Sequence, residues 1–150
     1  KGFLLAKGTM PPPVTGTVIR KFGGKKGEGA SKGIFIDASD GTRIRAIFPG
    51  QVIFAGYRRG YGNTVILDHG LNYSSVTARM EKILVKKGDR VDAETVIGEA
   101  GDIATLFEKG IYFEIRRDAE PVDPLEWITR QGLNVQKGDT DPEPRDSEAN

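Results

Sequence analysis

The chain holds one histidine and no cysteine among its 150 residues, which limits the metal and nucleophilic chemistry available to it. Catalytic zinc sites use three protein ligands drawn from His, Cys, Asp and Glu, and leave a fourth position for water. The histidine, His69, lies in the segment Asp68-His69-Gly70 at the end of an apolar run. One imidazole with scattered carboxylates lacks the soft ligands and supporting hydrogen bonds of a zinc site. We therefore interpret His69 as a structural or surface residue and expect neither a bound metal nor another cofactor.

The basic side chains are clustered, although the chain as a whole is nearly neutral. Lys and Arg (22) almost balance Asp and Glu (21), so the formal net charge is only +1. A charge this small gives no long-range field that would collect nucleic acid. The local clusters suit an anionic surface on a protein partner. They are Lys25, Lys26 and Lys32 in one loop, Arg58-Arg59 in a second loop, and Arg116-Arg117 on a strand.

Short β-type runs separated by glycine turns make up most of the chain. No segment has a sustained helical period, and the only helix start is Asp123 as cap with Pro124 at the first helical position. Regular short strands of this kind are typical of antiparallel sandwiches and barrels. We predict an all-β fold, an antiparallel sandwich or barrel-like sheet with at most one short C-terminal helix. The predicted strands are residues 17–22, 32–37, 43–48, 51–55, 63–69, 73–80, 83–85, 96–98 and 112–116.

One domain is predicted, at residues 14–130, between two flanking segments. Residues 1–13 end in Pro11-Pro12-Pro13, which must be extended, and are predicted to form a linker or N-terminal arm. Residues 131–150 are predicted to form a flexible tail, acidic and apolar-poor from Lys137 onward. No apolar run approaches the roughly 20 residues of a membrane helix.

An ordered set of short motifs runs through about four-fifths of the chain, and together these motifs resemble one known domain. The set includes Pro13-Val14-Thr15-Gly16, Lys32-Gly33-Ile34-Phe35-Ile36, Gly50-Gln51-Val52-Ile53-Phe54-Ala55-Gly56, Gly60-Tyr61-Gly62-Asn63, Val85-Lys86-Lys87-Gly88-Asp89 and Phe113-Glu114-Ile115-Arg116. This order closely resembles the LytM domain of lysostaphin-like zinc endopeptidases that cleave peptidoglycan. The resemblance implies their β fold with the duplicated hybrid motif.

The resemblance also implies where a metal site would lie and shows that its ligands are replaced. Active members bind zinc through an H-x-G-x-D-type segment and the second histidine of an H-x-H strand. A histidine of a Y-x-H-type segment assists with the first histidine of that strand. The aligned positions here are Ser31 and Phe35 for the first segment, Arg79 for the Y-x-H histidine, and Gly110 and Tyr112 for the H-x-H pair. The resemblance thus predicts a domain that is not an enzyme.

Loss of every ligand within an otherwise retained pattern is similar to the EnvC-type murein hydrolase activator family. Lys32-Gly33, Gly60-Tyr61-Gly62 and the closing Tyr112-Phe113-Glu114-Ile115-Arg116-Arg117 look like that family in particular. Its members are exported, usually carry an upstream coiled coil, and bind N-acetylmuramoyl-L-alanine amidases during cell separation. We therefore expect a periplasmic activator of such an amidase, with its signal peptide absent from this chain and with peptidoglycan as a further candidate partner.

In such activators the former zinc groove becomes the docking surface. Strand alternation predicts that Tyr112, Glu114 and Arg116 lie on the face opposite Phe113 and Ile115. Tyr and Arg are frequent interface hot spots, which suits this face. The implied partner-binding groove consists of Lys32, Phe35, Thr64, Thr77, Arg79, Tyr112 and Arg116. Thr64 and Thr77 depart from the bulkier residues of the activator family.

Other function classes remain open on the residues alone. A peptidoglycan-binding module without activator role could use Tyr57, Tyr61 and the Arg58-Arg59 loop. A hydrolase with an unrecognised site is a second alternative. The glycine turn at Lys87-Gly88-Asp89 is also found in biotinyl carrier domains, but no hairpin-tip lysine with the flanking Asp or Met of a carrier is present.

Overall fold

The computed structural model describes residues 2–23, 30–102 and 109–135. Lys25, Lys26 and the tail from Lys137 lie outside these residues. The described strands are β1 (Gly16–Arg20), β2 (Ile34–Asp37), β3 (Arg43–Arg45), β4 (Gly50–Arg58), β5 (Gly62–Gly70), β6 (Tyr73–Met80), β7 (Lys82–Ile83), β8 (Arg90–Val91), β9 (Val96–Glu99), β10 (Ile111–Arg117), β11 (Glu120–Val122) and β12 (Leu133–Val135). Two 3-10 helices accompany them, Leu4–Ala6 and Pro124–Glu126.

The strands form one large sheet and one small sheet. The large sheet has the order β12-β1-β2-β10-β6-β5-β4-β8, with β11 paired to β10. Its pairs are antiparallel except for the parallel pair of β1 and β12. The small sheet has the order β3-β9-β7. The all-β prediction is confirmed, but the large sheet is not closed into a barrel, since β12 and β8 lie at opposite ends of its order.

Strand β10 lies in the middle of the large sheet and determines which residues share a face. Tyr112 is directly opposite Phe35 of β2 and Ala78 of β6, so these side chains project to the same side. Phe113 is opposite Ile34 and projects to the other side, where both are buried in the main core. The alternation predicted for β10 is thus present in the sheet.

The N-terminal segment packs into the core, although its sequence predicts a linker or arm. Phe3 is only 1% exposed and stacks on the rings of Tyr73 (5.0 Å) and Trp127 (5.1 Å). Met10 is buried too and bridges to Ile128. At the other end, Leu133–Val135 lies within the predicted flexible tail yet pairs with β1. Both differences arise from long-range contacts, which local composition does not reveal.

His69 is a structural residue at the end of β5. Its ring stacks on Phe3 at 4.8 Å, and its Nε2 lies 2.8 Å from the Ser75 hydroxyl. Its Nδ1 lies 2.9 Å from the Pro49 carbonyl, which can only accept, so Nδ1 carries the hydrogen and Nε2 accepts from Ser75. Burial lowers the pKa of His69 below its ordinary 6.5, and the Pro49 bond and the charge of Asp68 only partly oppose this.

The predicted C-terminal helix is present as one 3-10 turn, Pro124–Glu126. The Asp123 side chain caps it by accepting a hydrogen bond from the Leu125 amide at 3.0 Å, as its position before Pro124 predicts. Nowhere in residues 2–23, 30–102 and 109–135 is there a helix of the length and apolarity needed to cross a bilayer.

Replacing Phe3 by alanine tests whether the N-terminal segment is part of the folded domain. Because Phe3 is buried among aromatic rings, we expect Phe3→Ala to lower the free energy of unfolding by about 3–5 kcal/mol. The matched control is Leu5→Ala, since Leu5 is 75% exposed and its truncation should change stability by less than about 0.5 kcal/mol. Urea unfolding measures both, and equal midpoints for the two variants would show that the segment is a loose arm.

The single histidine makes the pH dependence of stability assignable to one residue. In the unfolded chain His69 takes up a proton as the pH falls through about 6.5, whereas the folded protein resists this proton. The free energy of unfolding should therefore decrease as the pH is lowered from about 7 towards 5. We expect His69→Gln to be less stable at pH 8 but to have a flatter profile over this range. Parallel profiles in urea titrations would contradict the assignment.

Candidate functional site

Phe35 and Tyr112, two positions that the resemblance assigns to metal ligands, belong to a small packed cluster on the outer face of the large sheet. Phe35 and Tyr112 are buried with Ala78 in a group separate from the main core. The ring centroids of Phe35 and Tyr112 are 5.0 Å apart, and Tyr61 packs on Tyr112 at 5.8 Å. These separations are those of ordinary aromatic contacts. Two of the former ligand positions are therefore filled by side chains that touch each other.

Arginine side chains cover the rings of this cluster. The Arg79 guanidinium lies 4.9 Å from the ring centre of Phe35 and 5.8 Å from that of Tyr112. Arg20 approaches Phe35 at 5.5 Å, and Arg58 approaches Tyr61 at 5.2 Å. Contacts within about 6 Å attract a cation to the face of an aromatic ring. We refer to Phe35, Tyr61, Tyr112, Arg20, Arg58 and Arg79 together as the arginine–aromatic cluster.

An unusual backbone conformation gives Arg79 its position. Ala78 projects to the outer face, so regular alternation would send Arg79 to the core side. Arg79 instead has a φ of 68°, in the left-handed region that residues other than glycine seldom adopt. This break in the strand lets its guanidinium reach Phe35 and Tyr112. Such outliers persist only where surrounding contacts compensate for their cost.

The carboxylate of Glu114 underlies the cluster and is completely buried, at 0% exposure. The Tyr112 hydroxyl donates to its Oε2 at 2.5 Å, and Arg116 Nε donates to its Oε1 at 2.6 Å. Burial raises the pKa of the Tyr112 hydroxyl above its ordinary value, and the bond to Glu114 adds to this effect. Burial also disfavours the charge of Arg116, but its bond to Glu114 and the charge of that carboxylate outweigh this and raise the pKa of Arg116.

The close packing beneath the cluster requires a glycine at position 33. A Cβ atom at Gly33 would lie 3.0 Å from both Glu114 Cγ and Tyr112 Cε1 and still closer to the Phe113 carbonyl, so only glycine fits. Next to it, the buried Ser31 hydroxyl donates to the Gly33 carbonyl at 2.6 Å. Gly110, with φ of 105°, supplies the left-handed turn that leads into β10. Ser31 and Gly110 thus have structural roles.

The implied docking groove divides into surface and buried residues. Lys32 is exposed, Arg79 and Arg116 are half-buried, and Phe35 and Tyr112 form the floor. The remaining two residues are too deeply buried to contact a partner. Thr64 is 0% exposed and donates to the Gly62 carbonyl, while Thr77, opposite Phe113, projects into the core and is 2% exposed.

Sequence reasoning missed several members of the site. The sequence places Tyr61 and Arg58 in a candidate glycan-binding loop, whereas the structure makes both of them members of the cluster. Arg20 belongs to β1, which no motif connects with the former ligands. Strand alternation predicts the face on which Glu114 lies. The signal that could have identified its role is a charged residue on the same face of the sheet as aromatic side chains.

The residues present do not fit a metal ion. Across the described ranges, no group of three or more His, Cys, Asp or Glu side chains could hold one. The single histidine uses both ring nitrogens in hydrogen bonds remote from the cluster. The guanidinium of Arg79 is a cation and cannot be a ligand. These side chains therefore do not supply the ligand set that metal-assisted hydrolysis requires.

Comparison with known proteins identifies the family of the chain. Residues 29–124 match the family described as Peptidase family M23. The chain belongs to this family, whose members include the LytM domains that its motifs resemble. The positions that the resemblance assigns to the metal ligands and assisting histidines carry Ser31, Phe35, Arg79, Gly110 and Tyr112, so the chain is a degenerate member.

Two curated relatives carry activator names. Murein hydrolase activator EnvC of Escherichia coli (strain K12) is 36% identical over 119 residues, covering 79% of this chain and 28% of EnvC. Murein hydrolase activator NlpD of the same strain is 37% identical over 120 residues, covering 79% of this chain and 31% of NlpD. The chain thus spans about 30% of the length of these relatives.

A solved structure supports the fold. The crystal structure of a zinc-containing peptidase from Vibrio cholerae superposes with a TM-score of 0.71 and 24% identity, over 78% of this chain and 39% of that one. Identity at this level concerns the fold alone.

Separating the charges of Glu114 and Arg116 tests the central hydrogen bonds of the site. Arg116→Met leaves the buried carboxylate without its cation, and we expect a loss of about 3 kcal/mol in the free energy of unfolding. In the double variant Glu114→Gln with Arg116→Met, both charges of this pair are removed. It should be more stable than Arg116→Met alone by about 1 kcal/mol or more. Urea unfolding measures both free energies. A double variant no more stable than Arg116→Met would contradict the ion pair between Glu114 and Arg116.

Proposed function

We propose that the chain is a non-catalytic activator that binds and activates an N-acetylmuramoyl-L-alanine amidase during cell separation. The observation that carries the proposal is the replacement of the metal ligands by a packed, arginine-covered surface at the same place in the fold. The activator names of EnvC and NlpD support it. The proposal includes a periplasmic location, because the peptidoglycan cleaved by the amidase lies there.

Docking would use the rim of the cluster. Phe35 and Tyr112 are too deeply buried to offer much area, so they shape the floor and hold the rim in place. The half-buried Tyr61, Arg58 and Arg79, with exposed Lys32, present the chemistry of interface hot spots. Activation requires that this surface bind the active form of the amidase more tightly than the inactive form. The chain then supplies binding energy and no catalytic group.

Charge reversal at the rim separates docking from folding. Lys32→Glu and Arg58→Glu change side chains at the surface of the cluster, so each should weaken amidase activation by about tenfold or more. The melting temperature should change little for Lys32→Glu, because surface substitutions alter stability by about 0.5 kcal/mol. Arg58→Glu should lower it modestly, because the contact with the Tyr61 ring is lost. The matched control is Lys87→Glu, an equal charge change on an exposed turn between other strands. The measurement is dye release from labelled sacculi by a purified amidase.

Two outcomes would count against the proposal. Failure of the unaltered chain to stimulate any N-acetylmuramoyl-L-alanine amidase would remove the activator role. Normal activation by both rim variants, with Lys87→Glu equally normal, would show that the amidase docks elsewhere on the domain.

A peptidoglycan-binding role without activation has one specific observation in its favour. Tyr57 is 67% exposed beside Arg58-Arg59, and an exposed aromatic ring next to cations suits a sugar bearing carboxylates. A pulldown on purified sacculi distinguishes the two roles. Binding that needs no amidase and disappears in Tyr57→Ala favours the glycan module, whereas binding that requires the amidase favours the activator.

A further inference from the structure

A cavity of about 550 Å³ opens beside the cluster on the outer face of the large sheet. Arg116 borders it on one side, and Glu114, which underlies the arginine–aromatic cluster, lies two residues away on the same face. Its lining includes Ile53, Ile66, Asp68, Arg116 and Asp118. None of these residues belongs to the former metal site.

The end wall of the cavity is joined by a backbone hydrogen bond. Two tight turns form it, and each has two consecutive residues with positive φ, as in type I′ hairpins. Leu71 and Asn72 have φ of 53° and 70°, and Asp118 and Ala119 have 52° and 69°. The Asp118 amide donates to the Asn72 carbonyl at 2.9 Å, which joins the turns. A preformed wall reduces the entropy cost of binding.

The floor of the cavity is apolar. A register shift between Val52 and Phe54 interrupts the β4–β5 ladder, and bulges of this kind redirect a side chain. Ile53, at the shift, is 44% exposed, an unusual exposure for an isoleucine within a sheet. Ile66 lines the same space from β5. Such a surface suits the aliphatic stem of a side chain.

The charge of the cavity is negative once internal pairing is counted. The Arg116 guanidinium is committed to Glu114 at 2.6 Å, so these two charges offset each other. Asp68 and Asp118 remain, and no ion pair with either is found in the described part of the chain. Asp68 accepts a hydrogen bond from the Gly70 amide, at 2.9 Å. The cavity therefore combines apolar walls with two carboxylates.

We propose that this cavity is a specificity pocket for a lysine or arginine side chain of the partner amidase. The aliphatic stem lies on Ile53 and Ile66, and the cationic head meets Asp68 and Asp118. A long side chain with a charged end has this combination of apolar and polar surface. The inference rests on the proposed function and adds the chemistry of one contact that the partner must supply.

The pocket and the floor of the cluster lie at different points along the same strand. Arg116 lies four positions along β10 from Tyr112, about 13 Å along the strand. A cationic side chain in the pocket is therefore at the Arg116 end of this face, separate from the rings of the cluster.

Asp118 offers a clean test, because asparagine keeps the shape of the side chain and is well tolerated in left-handed turns. We expect Asp118→Asn to weaken binding to the purified amidase by about threefold to tenfold and to reduce its salt dependence. Asp118→Lys should weaken binding by more than about tenfold. The matched control is Glu120→Lys, an equal charge change on an exposed residue two positions away outside the cavity, which should bind within about twofold of the unaltered chain. Calorimetric titration gives the affinities, and melting curves confirm folding.

The outcomes separate the pocket from the wider proposal. Unchanged affinity in Asp118→Asn and Asp118→Lys, with rim variants still defective, overturns the pocket and leaves the activator role intact. Tighter binding by Asp118→Lys also overturns it, since the occupant would then be acidic. An effect on sacculus binding without an effect on amidase binding assigns the cavity to glycan. Absence of amidase binding by the unaltered chain overturns the proposed function and the pocket together.

Discussion

A buried carboxylate at the centre of the large sheet is the constraint on which the site depends. Glu114 has no exposed surface, and an uncompensated charge there would cost several kcal/mol. Its two donors, Tyr112 and Arg116, come from the same face of the same strand, two residues to either side. Tyr112 stands at a former ligand position, and Arg116 borders the neighbouring cavity. One internal hydrogen-bonding requirement therefore orients both the floor of the cluster and the wall of the pocket.

Packed side chains occupy the region in which the resemblance places a zinc ion. A metal ion organises its ligands through short, directional bonds, whereas here ring contacts between Phe35, Tyr61 and Tyr112 organise the same region. Positive charge is still present, carried by Arg79 over the rings. A cation therefore lies over aromatic rings at the positions that the resemblance assigns to the metal site. Such a surface suits recognition, in which charge and shape decide which partner binds.

The strands and the face of β10 could be predicted from sequence because both follow from local rules. Glycine turns separate the strands, and alternation places Tyr112 opposite to Phe113. The burial of Thr77 depends on cross-strand register, and the contact of Arg79 with Phe35 depends on one left-handed backbone angle. Neither has a local sequence signal. Phe3 shows the same limit, since its place among aromatic rings arises from residues distant along the chain.

The most direct test of the account is an NMR titration of the ¹⁵N-labelled chain with a purified N-acetylmuramoyl-L-alanine amidase, which locates the contact surface without substitutions. The account predicts that amide signals of residues 32–35, 58–61 and 112–118 shift or broaden as the amidase is added. Signals of the turn at residues 86–89, which lies between β7 and β8, should remain unchanged. Perturbations confined to surfaces away from the cluster and the pocket, or none at saturating amidase, would contradict the claim that the former metal site has become a docking surface.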